Sequence, residues 1–247
     1  MGPVRRRLYP ASGRPGSPGR ANLPTVQIGV MGATGPAGQA VSVQFAGIGI
    51  DVIVGSRSEE RAADTVTALK EKWGGRELPL HPGDNDAAAA ADLVVVATPW
   101  DGILTTVTAA EEGLAGKIVI SMANALTRWG KDMVPLLPPT GSVTVAVARA
   151  LPRSRVVGAF HHLPAGAWGD LDHPLDADVM VCCDDRKATD EVVALIDQLP
   201  GLRGVDCGSL SSALAIEALT PALLEVNRRY KTHAALRITG LPERPGT

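Results

Sequence analysis

The glycines at 32, 35 and 38, inside the run Ile28 to Gly38 (IGVMGATGPAG), have the spacing that speaks most directly of chemistry. An apolar stretch enters a tight turn and a helix-like segment follows, an arrangement that cradles phosphate. Gly32 lets the chain turn, Gly35 lets a pyrophosphate approach the backbone, and Gly38 lets the helix pack on the strand, while free amides at the helix start face the anion. The spacing is GxxGxxG rather than GxGxxG, and such a turn also serves as a plain tight connection. The next apolar run favours the phosphate. Asp51 to Gly55 reads as a second buried strand, and a dinucleotide fold places its ribose-selecting residue at the end of that strand. Where an NAD-binding chain carries Asp or Glu, this one has Ser56 and Arg57, with Arg61 a helical turn further on. A hydroxyl and guanidinium groups suit a 2′-phosphate that a carboxylate would repel, so NADP(H) is expected rather than NAD(H). Ser56 would also cap the next helix with Glu59 completing a capping box, and the two roles are compatible.

Further candidates lie beyond later strands. Val94 to Trp100 (VVVATPW) ends a strand at the edge where open α/β sheets bind their ligands. Trp100 either walls a cofactor cleft or packs beside an ordinary helix start with Pro99 near its first position. Asn124, just past a strand at 117–121, either hydrogen-bonds a ribose or nicotinamide or makes an Asx turn. The second half holds His161 and His162 in the run Phe160 to Ala165 (FHHLPA). Proline steers the residue before it to extended backbone, on which neighbouring side chains alternate, so one imidazole would face a site and the other would not. The metal pattern of spaced histidines with cysteine or carboxylate partners is missing, and no Ser–His–Asp set is evident. The histidines therefore read as site lining, and no metal is expected.

These residues need an α/β frame to hold them. Strands are predicted at 26–31, 51–54, 93–97, 117–121, 155–159, 178–182 and 202–207, and helices at 37–46, 58–73, 84–91, 101–112, 143–151, 187–199 and 211–230. Short β runs separated by helices mean a parallel, doubly wound sheet. The 143–151 segment mixes strand-prone VTVAV with helix-prone AVARAL and is taken as helix. Pro221 is expected to kink or split the last helix.

At 247 residues, with 45% hydrophobic and 20% charged, the chain can bury a sizeable core and reads as soluble and globular. A net charge of −2 supplies no field for nucleic acid, and no apolar run approaches the roughly 18 residues of a membrane span, so neither partner is expected. The cysteines are Cys182, Cys183 and Cys207; the adjacent pair lacks metal-ligand spacing and the odd total argues against a disulfide framework, which points to a reducing cytoplasm. Residues 1–24 carry five Pro, four Gly and five Arg and are expected to form a disordered tail. No apolar stretch comes after Arg5, Arg6 and Arg7, so export is not expected.

Six ordered blocks add a resemblance: GATGPAG, IVGSRSEER, VVVATPWDG, AFHHLPA, DVMVCCDD and VNRRYKTHAALRITGL. Together they resemble the NADPH-dependent reductases of the deazaflavin coenzyme F-420 (F420), most of all the actinobacterial type, over roughly residues 26 to 240. The resemblance implies a reversible hydride exchange between NADPH and F420 in a homodimer. It also implies a Rossmann-type NADP-binding domain at 25–152 and a small C-terminal α/β domain at 153–247 that closes the deazaflavin site. By the same resemblance the NADP-binding turn falls on Gly32, Thr34, Gly35, Pro36 and Ala37, and the 2′-phosphate residues on Ser56, Arg57 and Arg61. Contacts past the later strands fall near Thr98, Trp100, Asn124 and Ala165. The deazaflavin-facing histidine falls on His161, as a binding and polarising residue, with Leu163 and Pro164 beside it and Ala235 in a further contact region. Between Ser121 and Asp132 the chain reads SMANALTRWGKD, which departs from the Asn-Pro-Leu type of segment the family leads one to expect. Two other readings compete. An NADP-dependent dehydrogenase of a small hydroxy substrate would need a Lys or His general acid, and a non-catalytic NADPH sensor would lack a second cleft.

Since the first 24 residues have no apolar face to dock, their deletion is expected to leave melting temperature and turnover nearly unchanged. Thermal melts and kinetics of the truncated chain check this, and a clear loss in either would show that the tail docks on the fold.

Overall fold

The computed structural model describes residues 26–241, and the tail expected at 1–24 lies outside them. In chain order the first half comprises β1 (Ile28–Met31), α1 (Pro36–Gly47), β2 (Val52–Ser56), α2 (Glu59–Lys72), β3 (Leu80–Asp84), α3 (Asn85–Ala90), β4 (Leu93–Val96), α4 (Ile103–Ala109), α5 (Glu111–Leu114) and β5 (Ile118–Ser121). Then come β6 (Leu126–Trp129), β7 (Asp132–Pro135), α6 (Val143–Ala150), β8 (Arg155–Gly158), α7 (Ala165–Trp168), β9 (Ala177–Val181), α8 (Arg186–Ile196), β10 (Leu202–Asp206) and α9 (Ala213–Tyr230). Six strands form one sheet in the order β3-β2-β1-β4-β5-β8, every pairing parallel.

The central strands β1, β4 and β5 are buried along their whole length. That is why they read as unbroken apolar runs, as strands covered on both faces do. Alternation then sorts their side chains. Ile28, Val30, Val95 and Ile120 share a core with Val41 and Phe45 of α1 and Leu69 of α2. Met31, Val94, Val96 and Val119 pack with Ala88 of α3, Ile103 of α4 and Val147 of α6 on the opposite side. The doubly wound reading therefore holds. The ambiguous 143–151 segment is helical, opened by Ser142, whose side chain accepts from the Val145 amide.

Several elements differ from expectation. The edge strand β3 reads LHPGD, a composition poor in strand formers; Pro82 is tolerated there because an edge strand has a free side. β6 and β7 form an antiparallel hairpin across the segment that departs from the family pattern. Its two-residue loop is Gly130-Lys131, with a positive φ of 60° at Gly130, and the opening Gly of a type II′ turn allows that value. α9 runs unbroken through Pro221 instead of splitting. The boundary expected at 152 falls just before β8, which belongs to the main sheet.

The C-terminal elements grow from the α1 face. β9 and β10 pair in parallel, and Val179, Val181 and Leu202 join the same core as Ile28 and Phe45. Gly158 and Cys182 exchange backbone bonds in both directions, at 2.8 and 3.0 Å, which links the last strand of the large sheet to the end of β9. Two buried carboxylates tie the remaining pieces. Glu217 of α9 accepts from the amides of Val143 and Thr144 at 2.9 Å each and so caps α6, although burial pushes its own pKa up. Asp178 of β9, fully buried, accepts from Arg203 Nε at 2.7 Å and Nη2 at 2.6 Å and from the Ile238 amide at 2.6 Å. Burial works to raise the Asp178 pKa, but the Arg203 and Ile238 bonds outweigh it and hold the carboxyl below its usual range.

Breaking a buried pair by removing one partner costs about 3–5 kcal/mol, so Asp178→Asn is expected to lower the urea midpoint markedly at pH 7. A depressed carboxylate pKa contributes stability above the unfolded value of about 3.9 and loses it as pH falls through the folded value. The gap between wild type and Asp178→Asn should therefore narrow as pH drops below about 4, which urea titrations across pH would measure.

Candidate active site

The turn between β1 and α1 is built on close approach. Gly32 has φ of +71°, and a Cβ there would lie 2.7 Å from Thr98 Oγ1. A Cβ on Gly38 would lie 2.6 Å from Ala33 Cα, so the helix can rest on the turn only without one. Gly35 differs: a Cβ there would meet nothing within 4 Å. It stands as the N-cap of α1 with no side-chain cap, followed by Pro36 at the first helical position. The first-turn amides therefore point into open space with no intrahelical acceptor, which is what an anion requires. The Gly32 amide donates to Asn85 Oδ1 at 3.2 Å.

At the end of β2, the Ser56 side chain is buried and accepts from the Ser58 amide at 3.3 Å. Ser58, not Ser56, caps α2, accepting from the Arg61 amide. Glu59 is thus the first helical residue and forms no capping box. Arg57 and Arg61 are exposed, and among the described residues neither has a carboxylate partner. The positive end of the α2 dipole lies beside them.

On the other side of β1, Thr98, Pro99 and Trp100 leave β4. Trp100 is 38% exposed and donates its indole N–H to the Leu126 carbonyl at 3.2 Å, so it is pinned as a wall rather than packed at a helix start. Asn124 makes no Asx turn; its Nδ2 donates to the His161 carbonyl at 2.8 Å, and its buried Oδ1 has no protein partner, nor does Thr98 Oγ1. These parts enclose one cleft of about 900 Å³. Lining it are Gly32, Thr34, Gly35, Pro36 and Ala37 of the turn, Ser56, Arg57 and Arg61 past β2, and Thr98, Trp100 and Asn124 past β4 and β5.

Sequence reasoning missed other lining residues, among them Asn85, Asp101, Thr105, Met122, Ala123 and Leu126. Asn85 comes directly after the strand that composition hid. Leu126 opens the hairpin. Asp101 stood in sight beside Trp100, in the quoted VVVATPWDG block, and position alone could have marked it.

The predicted acceptor residues lie elsewhere. Phe160 adopts φ of 64°, and the chain turns at His161 and His162 instead of extending, so alternation does not separate the two rings. Both are buried, each 3% exposed. His161 Nδ1 donates to the Ala123 carbonyl at 3.2 Å, and its Nε2 lies 3.4 Å from Thr144 Oγ1, which donates to Glu217 at 2.8 Å. Burial first, then the neighbouring His162, lowers the His161 pKa to about 3. His162 Nε2 accepts from the Met180 amide at 3.2 Å, and burial lowers its pKa to about 4. Both rings are neutral. Leu163, Ala165 and Ala235 are half-buried and pack against the main core, and Pro164 stands at the N-cap of α7; neither these residues nor His161 line that cleft. His161 acts on the cleft wall twice, through its ring on Ala123 and its carbonyl on Asn124.

Comparison with known proteins matches the geometry. Residues 27–125 fit the family model described as NADP oxidoreductase, coenzyme F420-dependent. The F420-dependent NADP reductase of Methanocaldococcus jannaschii is 37% identical over 222 residues, covering 87% of this chain and 99% of its own. That of Methanothermobacter thermautotrophicus is 32% identical over 224 residues, covering 88% and 97%. A crystal structure from Arthrobacter sp. carrying the same reductase designation superposes with a TM-score of 0.69 at 28% identity, covering 84% of this chain and 96% of that one. By this likeness over most of its length, the chain belongs to the family of F420-dependent NADP reductases.

Proposed function

We propose that this protein exchanges a hydride reversibly between NADPH and the oxidised deazaflavin coenzyme F420, with one proton taken up as the deazaflavin is reduced. The observation that carries the reading is the composition of the cleft: an open amide cradle, two arginines without carboxylate partners, and no lysine or histidine among the lining residues. A dehydrogenase that protonates a substrate oxygen needs such a general acid. Exchange between two bound rings needs alignment and exclusion of water.

The nicotinamide, when bound, supplies the hydride chemistry; the chain supplies binding and orientation. Gly32, Thr34, Gly35, Pro36 and Ala37 would hold the pyrophosphate, and Ser56, Arg57 and Arg61 the 2′-phosphate. Thr98, Trp100 and Asn124 would flank the nicotinamide half, where two buried oxygens without protein partners, Thr98 Oγ1 and Asn124 Oδ1, stand ready as acceptors. His161, Leu163, Pro164, Ala165 and Ala235 would support the acceptor end from behind, with His161 setting Ala123 and Asn124. The family further supports a homodimer, for which the exposed Leu224, Val226 and Tyr230 of α9 offer apolar surface. The three cysteines are free, in keeping with a reducing cytoplasmic setting, and among the described residues no helix is long and apolar enough to cross a membrane.

An anaerobic mixture of protein, NADPH and oxidised F420 should lose the visible absorption of the coenzyme, and persistence of that absorption would overturn the assignment. NADPH should be preferred to NADH by about 10²–10⁴-fold, from two charge-assisted bonds of about 1.5–3 kcal/mol each, and Arg57→Ala should lose much of that preference in kcat/KM. Equal efficiency with both nicotinamides in the wild type would refute it.

Because His161 is neutral above about pH 3, the pH profile of kcat/KM should hold no inflection that His161→Gln removes. Folding carries the opposite signature. The unfolded imidazoles take up protons below about 6.5 while the folded ones stay neutral to about 4 and about 3, so stability should fall as pH drops from about 6.5. Urea midpoints at pH 7 and pH 5 would check the sign, and His161→Gln should flatten the difference.

A further inference from the structure

The hairpin β6–β7 leaves the cleft wall at Leu126 and carries a charge that the cofactor turn and the arginines past β2 do not explain. Most described arginines meet carboxylates: Arg76 with Asp172, Arg153 with Glu112, Arg186 with Asp190, Arg203 with Asp178 and Arg228 with Glu225 are examples. Among the described residues Arg57, Arg61, Arg128 and Arg149 have no ion-pair partner. The first two line the cleft at its 2′-phosphate end.

Geometry places the third at the other end. In β6 the side chains alternate, so Arg128 shares the face of Leu126, about 7 Å further along the strand. Opposite residues of an antiparallel pair share a face as well, which puts Trp129 and its partner Asp132 on the reverse side. That reverse side meets α9, where Asp132 lies 3.9 Å from Arg228. Arg128 therefore leaves the hairpin on the side of the cleft-lining residue and away from α9. Lys131, in the loop beside it, is also exposed and has no carboxylate partner among the described residues. The type II′ turn gives the backbone of this tip a defined shape. Arg57 and Arg61 follow β2, whereas the hairpin follows β5, and β1 and β4 stand between those two strands in the large sheet, so the 2′-phosphate that the pair would hold is not the hairpin's partner.

We propose that Arg128, assisted by Lys131, is an anion-recognising subsite on the acceptor side of the cleft, taking the phosphodiester and carboxylate side chain of the deazaflavin coenzyme. This rests on the proposed hydride exchange with F420. A guanidinium suits phosphate and carboxylate alike, through paired N–H donors.

Equilibrium binding followed by deazaflavin fluorescence tests it, with the full chain, NADP⁺ present, and two probes: F420 with its anionic side chain, and the same deazaflavin ring with a neutral hydroxyl side chain. Arg128→Gln should weaken F420 by about tenfold in Kd, or about 1.4 kcal/mol, and the neutral probe far less, with Arg128→Lys in between. Added salt should weaken F420 binding to the wild type more steeply than to Arg128→Gln. Arg149→Gln, on α6, serves as the control arginine and should leave both Kd values alone. Equal weakening of the two probes would overturn the proposal by showing that Arg128 only supports the hairpin. Weakened NADP⁺ binding instead, or no change in any Kd, would overturn it too. If the wild type binds neither deazaflavin, the hydride exchange with F420 is itself wrong, an outcome distinct from a probe-specific failure.

Discussion

A Cβ at position 32 would have to occupy the space of Thr98 Oγ1, only 2.7 Å away, and the site depends on that exclusion. Without a side chain at 32, the turn after β1 drops against the first residues beyond β4, and a positive φ swings the chain toward α1. Three walls converge as a result: the open first turn of α1, the Ser56–Arg57 end of β2, and the Thr98–Trp100 segment. Asn85 reinforces the arrangement from the start of α3, just past β3, by accepting from the Gly32 amide. A larger residue at 32 would push β1 and β4 apart at the end where the dinucleotide has to lie across both.

The elements after the hairpin support the cleft without lining it. Glu217 caps α6, Thr144 bonds to Glu217 and lies beside His161, and His161 donates to Ala123. These contacts run from α9 to the Ala123–Asn124 wall of the cleft. Every link is buried, where polar groups are held strongly once satisfied and penalised when left alone. A neutral imidazole suits this place, since its Nδ1–H satisfies the Ala123 carbonyl and it brings no charge into the core.

How far the amino-acid order revealed this depended on how each segment is buried. β1, β4 and β5 were readable because both faces are covered and their residues are uniformly apolar. The cofactor turn and the Ser56-Arg57-Arg61 cluster were readable because phosphate binding demands particular residue types at particular spacing. β3 was hidden, since an edge strand tolerates Pro82 and Gly83, and Asn85 went with it. The hairpin was hidden because its strands are short and half exposed, so neither period dominated. The backbone at His161 was misread for a local reason: Leu163-Pro164 argued for an extended chain, while Phe160, in the left-handed region and stacked on Trp168 at 5.1 Å, turned the chain first. Nothing in the residue types announces a left-handed phenylalanine, which tertiary packing imposes.

The paired backbone bonds between Gly158 and Cys182 bear on mechanics. A cleft between two independent lobes opens by rotation about a linker, but here the large sheet and the small one are joined by main-chain bonds and share a single packed interior. Rotation would have to tear those bonds and slide interlocked side chains, a motion that close-packed interiors resist. The hairpin stands apart as a sheet of its own, tied to its surroundings by the Asp132–Arg228 pair at 3.9 Å near its tip and by the Trp100 indole bond to Leu126 at its root. The two joined sheets would thus move as one body, so this reductase would not meet a second substrate by closing one lobe on another.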